Sequence, residues 1–157
     1  VQIAKVGRWL TAAGKEEMET LVLLILGAFV VLAEARDQAV GARGQLMCGN
    51  APLANTEVKL WELDIFPNPD DLLATVKTDS NGRFQISGYE NELTTIDPVI
   101  KIYHNCNNRL SLCKRKVTYK IPSSYITAGR SATGFYDFGT MNMEAKQKDE
   151  DTECFGK

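Results

Sequence analysis

Histidine is almost missing from this sequence: one in 157 residues, beside four cysteines, five prolines and two tryptophans. A single histidine excludes a His-rich metal centre and any multi-histidine acid–base site. Net charge is nearly missing as well, since 18 basic side chains face 20 acidic ones. Without the basic field that holds phosphate backbones, no nucleic-acid partner is expected. Long apolar runs are also lacking, because a spanning helix needs roughly 18 such residues and none occurs here. Apolar residues make up 44% of the chain, and the length suits about one domain.

One apolar segment stands out. Leu21 to Leu32 carries no charge, and Ala33-Glu34-Ala35 follows as an A-x-A cleavage pattern. This reads as a signal peptide, closed too early by Glu34 and Arg36 for a membrane span. Translation starts either upstream of Val1, with Lys5, Arg8 and Lys15 as the positive n-region, or at Met18. Residues 1–35 are therefore set apart from the fold. Their removal takes three basic residues (Lys5, Arg8, Lys15) and four acidic ones (Glu16, Glu17, Glu19, Glu34), leaving 15 basic and 16 acidic residues in 36–157.

The expected setting is secreted and extracellular, so the four cysteines are expected as two disulfides. Zinc ligation does not fit, because six residues lie between Cys106 and Cys113 and no Cys or His neighbours Cys48 or Cys154.

Strand signals with period-2 alternation run from Arg43 to Ala145, without an amphipathic helix. Gly44–Cys48 places Leu46 and Cys48 on one face, and Glu57–Leu63 places Val58 and Leu60 inward. Two prolines make Asp64–Asp71 a loop. Asp79-Ser80-Asn81-Gly82 gives a hairpin signal between Leu73–Thr78 and Arg83–Ser87, with Phe84 and Ile86 facing the core. A polar stretch, 88–97, leads to Val99–Cys106, where Ile100, Ile102, His104 and Cys106 share a face. Cys113–Ile121 turns Val117, Tyr119 and Ile121 inward. In Phe135–Ala145 the phase changes between Tyr136/Phe138 and Met141/Met143, which predicts a β-bulge at Gly139. About seven short strands of this kind form an antiparallel β-sandwich spanning 36–145. The charged segment 146–157 would be a disordered tail on its own composition, and Cys154 tethers it.

Parity also guides the disulfides. Cys48 and Cys106 both point inward, which pairs them and leaves Cys113 for Cys154. The loops closed hold roughly 60 and 40 residues, each worth about 4 kcal/mol in the chain-entropy model. Packed sheets lie about 10 Å apart, so the Cys48–Cys106 bridge has to sit where they converge.

These segments, in order, resemble the nematode transthyretin-like family of small secreted proteins. The likeness rests on Gly44-Gln45-Leu46-Met47-Cys48, Val58-Lys59-Leu60-Trp61, Pro69-Asp70-Asp71-Leu72-Leu73, Thr78-Asp79-Ser80-Asn81-Gly82, Glu92-Leu93-Thr94, Ile96-Asp97-Pro98, Ile102-Tyr103-His104-Asn105-Cys106, Ile121-Pro122-Ser123-Ser124-Tyr125-Ile126 and Phe138-Gly139-Thr140. The resemblance implies an all-β, transthyretin-like (prealbumin-like) sandwich and supports both cysteine pairings. Related hydroxyisourate hydrolases use several His, an Arg and a Tyr-Arg-Gly-Ser tail, whereas this chain has one His and ends Cys154-Phe155-Gly156-Lys157, so no enzyme activity is expected. Thyroid-hormone carriers assemble as tetramers, and the charged tail after Ala145 would crowd the assembling edge. A monomer or weak dimer is expected instead.

The function expected is secreted, non-enzymatic binding or bridging, toward a lipid headgroup, hydrophobic small molecule or cell-surface receptor, the alternative being an oligomeric carrier of a hormone-like molecule. Lys114, Lys116 and Lys120 on the outward face of one strand, with Arg109 and Arg115 nearby, form a candidate face for an anionic ligand or partner. His104 reads as a hydrogen-bonded structural residue. No cofactor and no metal are expected: Asp64, Asn68, Asp70 and Asp71, like Asp79 and Asn81, do not fit an EF-hand loop. Trp61 faces away from Val58 and Leu60 and is expected to pack against a neighbouring strand or the tail.

Overall fold

The computed structural model describes residues 18–22, 34–64, 69–108 and 112–154. It divides into Val1–Ala35 and Arg36–Lys157. In the first unit residues 18–22 are helical, and the rest of the apolar run up to Leu32 lies outside the described residues. Among the described residues no helix is long and apolar enough to cross a membrane.

Among the described residues the second unit contains ten strands: β1 (Arg36–Cys48), β2 (Ala51–Pro52), β3 (Glu57–Glu62), β4 (Asp71–Lys77), β5 (Arg83–Glu92), β6 (Pro98–His104), β7 (Cys113–Lys120), β8 (Thr127–Ala128), β9 (Tyr136–Asn142) and β10 (Glu150–Cys154). In one sheet β5 and β2 lie along β1, which also pairs with β8 and β9; the other runs β10-β7-β6-β3-β4. Alternation explains how they face each other. Val40, Ala42 and Leu46 of β1 with Phe84 and Ile86 of β5 meet Val58, Leu60, Ile100, Ile102 and Val117 of the opposite sheet in one core. A side chain such as Leu60, fully buried here, contributes about 1.5–3 kcal/mol by leaving water. Tyr119, Phe138, Tyr136 and Tyr125 follow one another, tilted at the first contact and edge-on at the next two, with centroids 5.8, 4.6 and 5.0 Å apart, and join β7 to β9 across one side of the core.

The sandwich and its core residues agree with the sequence pattern, and several boundaries differ. β1 starts at Arg36 instead of near Arg43. As the central strand of its sheet it is buried on both sides through Ala39–Ala42, so its first half shows no alternation to read. The stretch after Gly88 continues β5 to Glu92. Asp79–Gly82 forms its turn, with Gly82 N–H on the Asp79 carbonyl at 3.0 Å, but β4 and β5 diverge into different sheets and make no hairpin. One pairing, β1 with β9, is parallel, while the other strand pairs are antiparallel. The bulge is present: Phe138 and Gly139 lie between two residues that pair either side of Gly44, and Gly139 has φ +65°. The segment after 145 is no mere tether, since it supplies β10, antiparallel to β7 along its whole length.

Both disulfides form as paired from the sequence. Cys48–Cys106 joins the two sheets at one end, Cα atoms 5.6 Å apart. Cys113–Cys154 ties β7 to β10 in register, Cα atoms 3.9 Å apart.

Gly82 shows how tightly the turn is fixed. Its φ is +73°, and a Cβ there would run into the Leu46 carbonyl oxygen. Gly82→Ala is expected to lower stability by about 2 kcal/mol or more in urea denaturation, whereas Gly134→Ala, with nothing within 4 Å, stays near wild type.

Candidate binding site

At the disulfide end of the sandwich two loops bound a groove of about 390 Å³. One wall is Leu53–Glu57, fixed by Thr78: the Thr56 N–H donates to Thr78 Oγ1 at 2.9 Å, and that hydroxyl donates to the Leu53 carbonyl at 2.5 Å. The other wall is Tyr103–Asn107, held by Cys106. Asn55 (φ 54°) and Asn107 (φ 51°) take left-handed backbone on opposite walls, a conformation that asparagine accepts more readily than most residues. Lys114, Glu57 and Tyr103 continue the lining into an adjoining cleft with Lys59, Glu153 and Cys154.

The groove joins apolar and charged surface. Lys59 Nζ sits 5.0 Å from the centre of the Tyr103 ring and 3.2 Å from Glu57. Burial, with Glu153 and Glu57 adding, pushes the Tyr103 phenol up to about 12, which keeps it a neutral hydrogen-bonding group. A broader groove of about 500 Å³ crosses the outer face of the β1 sheet, lined by Arg43, Gln45, Arg83 and Asp137. Its ion pair, Arg43–Asp137 at 3.0 Å, is half exposed on both sides and worth little. The disulfide-end groove is the better site, because it alone of the two adds perturbed buried groups to rigid walls.

His104 lines this groove at 2% exposure. The hydrogen bonds expected of it are missing: neither ring nitrogen has a partner among the described residues. Burial first, then Arg115, pushes its pKa down to about 4, so the ring is neutral.

Arg115 corrects the expected cationic face. It pairs across β6–β7 with His104 and turns inward on Val117's side. Its guanidinium grips Glu150 through Nε (2.6 Å) and Nη2 (2.7 Å) and donates to the carbonyls of Cys106 (2.7 Å), Met143 (2.9 Å) and Ala145 (3.1 Å). A side chain so committed is structural and does not greet a ligand. Outward, Lys116 lies 3.1 Å from Glu153 and Lys120 lies 2.8 Å from Asp97, so β10 and the 97 loop make the face mixed in charge. Lys114 remains at the groove, and Arg109 lies outside the described residues. Trp61 packs under Lys101, whose Nζ is 4.5 Å from the ring centre. Among the described residues no group of three or more acidic, His or Cys side chains is placed to hold a metal; Asn68 of the acidic first loop lies outside them.

Comparison with known proteins gives consistent relatives. A family model described as the Transthyretin-like family matches residues 43–122. Transthyretin-like protein 46 of Caenorhabditis elegans is 46% identical over 128 residues, covering 81% of this chain and 72% of its own. Transthyretin-like proteins 33 and 5 of the same organism are 45% and 40% identical, over 74% and 87% of this chain and 82% and 99% of theirs. Among solved structures, a 9R-lipoxygenase from Cyanothece PCC8801 overlaps 68% of this chain and 16% of its own at 27% identity, with a TM-score of 0.39, too partial a likeness to bear on function.

Two predictions come from this end of the molecule. Arg115→Lys keeps the charge but loses the fork, and should cost about 2 kcal/mol or more in urea denaturation. For His104, a pKa depressed in the folded state means that the unfolded chain binds more protons, so stability is complete above about pH 6.5 and falls toward pH 4. The expected loss between pH 6.5 and pH 5 is about 2 kcal/mol. His104→Leu should flatten that window at little cost near pH 7, since neither ring nitrogen has a partner among the described residues to lose. Glu150, whose pKa is lowered chiefly by Arg115, adds a further loss only as pH falls below its ordinary range near 4.5.

Proposed function

This chain belongs to the transthyretin-like family, and on that premise we propose that it is a secreted, non-enzymatic binding protein that takes a small ligand or lipid headgroup in the groove beside Cys48–Cys106. The observation that carries the reading is the groove itself. Its volume of about 390 Å³ falls within the range of small-molecule sites, and disulfide-anchored loops preform its walls. The lining predicts the ligand's chemistry: an apolar body against Leu53 and the Tyr103 ring, and a charged end between Lys114 and Glu57.

The paired disulfides suit an oxidising, extracellular setting. The position of β10 along β7 supports a monomer or weak dimer over the oligomeric carrier, because the sheet edge that such assemblies use is already paired. Light scattering after size exclusion is expected to give that mass.

Native mass spectrometry of the protein secreted from cultured cells tests the site. A bound small molecule is expected, with occupancy reduced about tenfold by Lys114→Glu or Glu57→Lys, as for loss of one charged contact of about 1.4 kcal/mol. Occupancy unchanged in both variants would remove the groove as the site.

A further inference from the structure

At the end of the sandwich opposite the sheet-joining disulfide the apolar core gives way to carboxylates. Glu62 continues the inward row of Val58 and Leu60 and is 4% exposed. Its Oε1 accepts the Asp97 N–H at 3.2 Å, while Oε2 has no partner among the described residues. Directly across the β3–β4 ladder stands Asp71, another acid, where like charges oppose each other at a cost. Glu92 ends β5 at inward parity, and Asp64 follows β3.

The charges here reinforce one another. Burial raises the Glu62 pKa, and Asp64, Glu92 and Asp71 raise it further. Asp64 is raised in the same way, by burial first and then by the charges of Asp71 and Asp70. Neighbouring acids are matched within the chain, Asp70 by Lys101 at 3.0 Å and Asp97 by Lys120 at 2.8 Å. Among the described residues no ion pair reaches Glu62, Asp64, Asp71 or Glu92.

Exposed apolar side chains flank the acids in sequence. Leu72 follows Asp71 at 49% exposure and Leu93 follows Glu92 at 61%. Acidic and apolar side chains are thus both left open at one end of the fold. A buried carboxylate oxygen for which no described residue supplies a donor, set among like charges, carries a cost that a cationic group from outside would offset.

We propose that this acidic end, carried by the ends of β3 and β5 and the start of β4, docks a basic, partly apolar segment of a protein partner. Lys or Arg of the partner neutralises Asp64, Asp71 and Glu92 and relieves the field on Glu62, and its apolar residues cover Leu72 and Leu93. The inference extends the binding role proposed above to a second face and does not depend on the groove.

The probe is a fluorescein-labelled peptide of alternating lysine and leucine, followed by anisotropy at physiological salt with the full secreted protein. Wild type and Lys114→Glu are expected to bind alike. Asp64→Asn/Asp71→Asn and Glu92→Gln should each weaken binding about tenfold or more. Asp151→Asn/Glu153→Gln, which removes the same charge from β10, should leave it unchanged. The Asp64/Asp71 variant should melt at or above the wild-type temperature, since it removes a like-charge contact. Equal weakening by the β10 variant would reduce the effect to bulk charge and overturn the proposal. So would absence of peptide binding, or millimolar calcium alone raising the melting temperature of wild type but not of the Asp64/Asp71 variant, which would make the end an ion site. Failure of the groove variants to change small-molecule occupancy would leave this result standing.

Discussion

The Arg115–Glu150 contact is the interaction on which the disulfide end depends. Arg115 leaves the middle of β7 pointing into the protein, where an unpaired guanidinium would be costly, and Glu150 meets it from β10 with both carboxylate oxygens. The remaining donors gather the carbonyls of Cys106, Met143 and Ala145. One side chain thereby fixes the turn after β6, the exit of β9 and the approach of the final strand. The Cys113–Cys154 bond then closes a strand whose register the ion pair has already set.

Two kinds of surface result from that arrangement. At the disulfide end charges are paired and loops are braced, so the groove is rigid and its walls present Lys114 and Glu57 at defined places. At the far end the inward rows of β3 and β5 terminate in carboxylates that form no ion pair among the described residues. The two ends of the sandwich thus differ in how their charges are matched among the described residues.

His104 illustrates how burial changes the meaning of a residue. A histidine at an inward position invites a catalytic reading, yet here it stands beside a guanidinium, without a hydrogen-bond partner among the described residues, and neutral down to about pH 4. Its neighbours make it a sensor of acid in the folding equilibrium. The same environment explains why Arg115, which sequence groups with its basic neighbours, does not act with them: alternation puts it on the face of Val117, and only the arrival of Glu150 makes that tolerable.

Much of this architecture was legible in the sequence, because alternation is a direct record of which side chains leave water. The inward rows of β3, β6 and β7, the bulge at Gly139 and the pairing of the cysteines all follow from parity, which is local. The same parity carries the row of Val58 and Leu60 on to Glu62, two residues further along the strand. Tertiary structure decided what parity cannot encode. Whether Asp79–Gly82 joins one sheet or two, whether 150–154 is tail or strand, and whether β9 runs parallel to β1 depend on which edges meet in space. Nothing in Asn55 or Asn107 alone marks them as the two walls of one groove. The sequence by itself determined the class, the core and the covalent frame; the neighbours of each charge, and with them the places where binding can occur, were settled only when distant strands came together, since Coulomb and hydrogen-bond energies depend on distance through space and not along the chain.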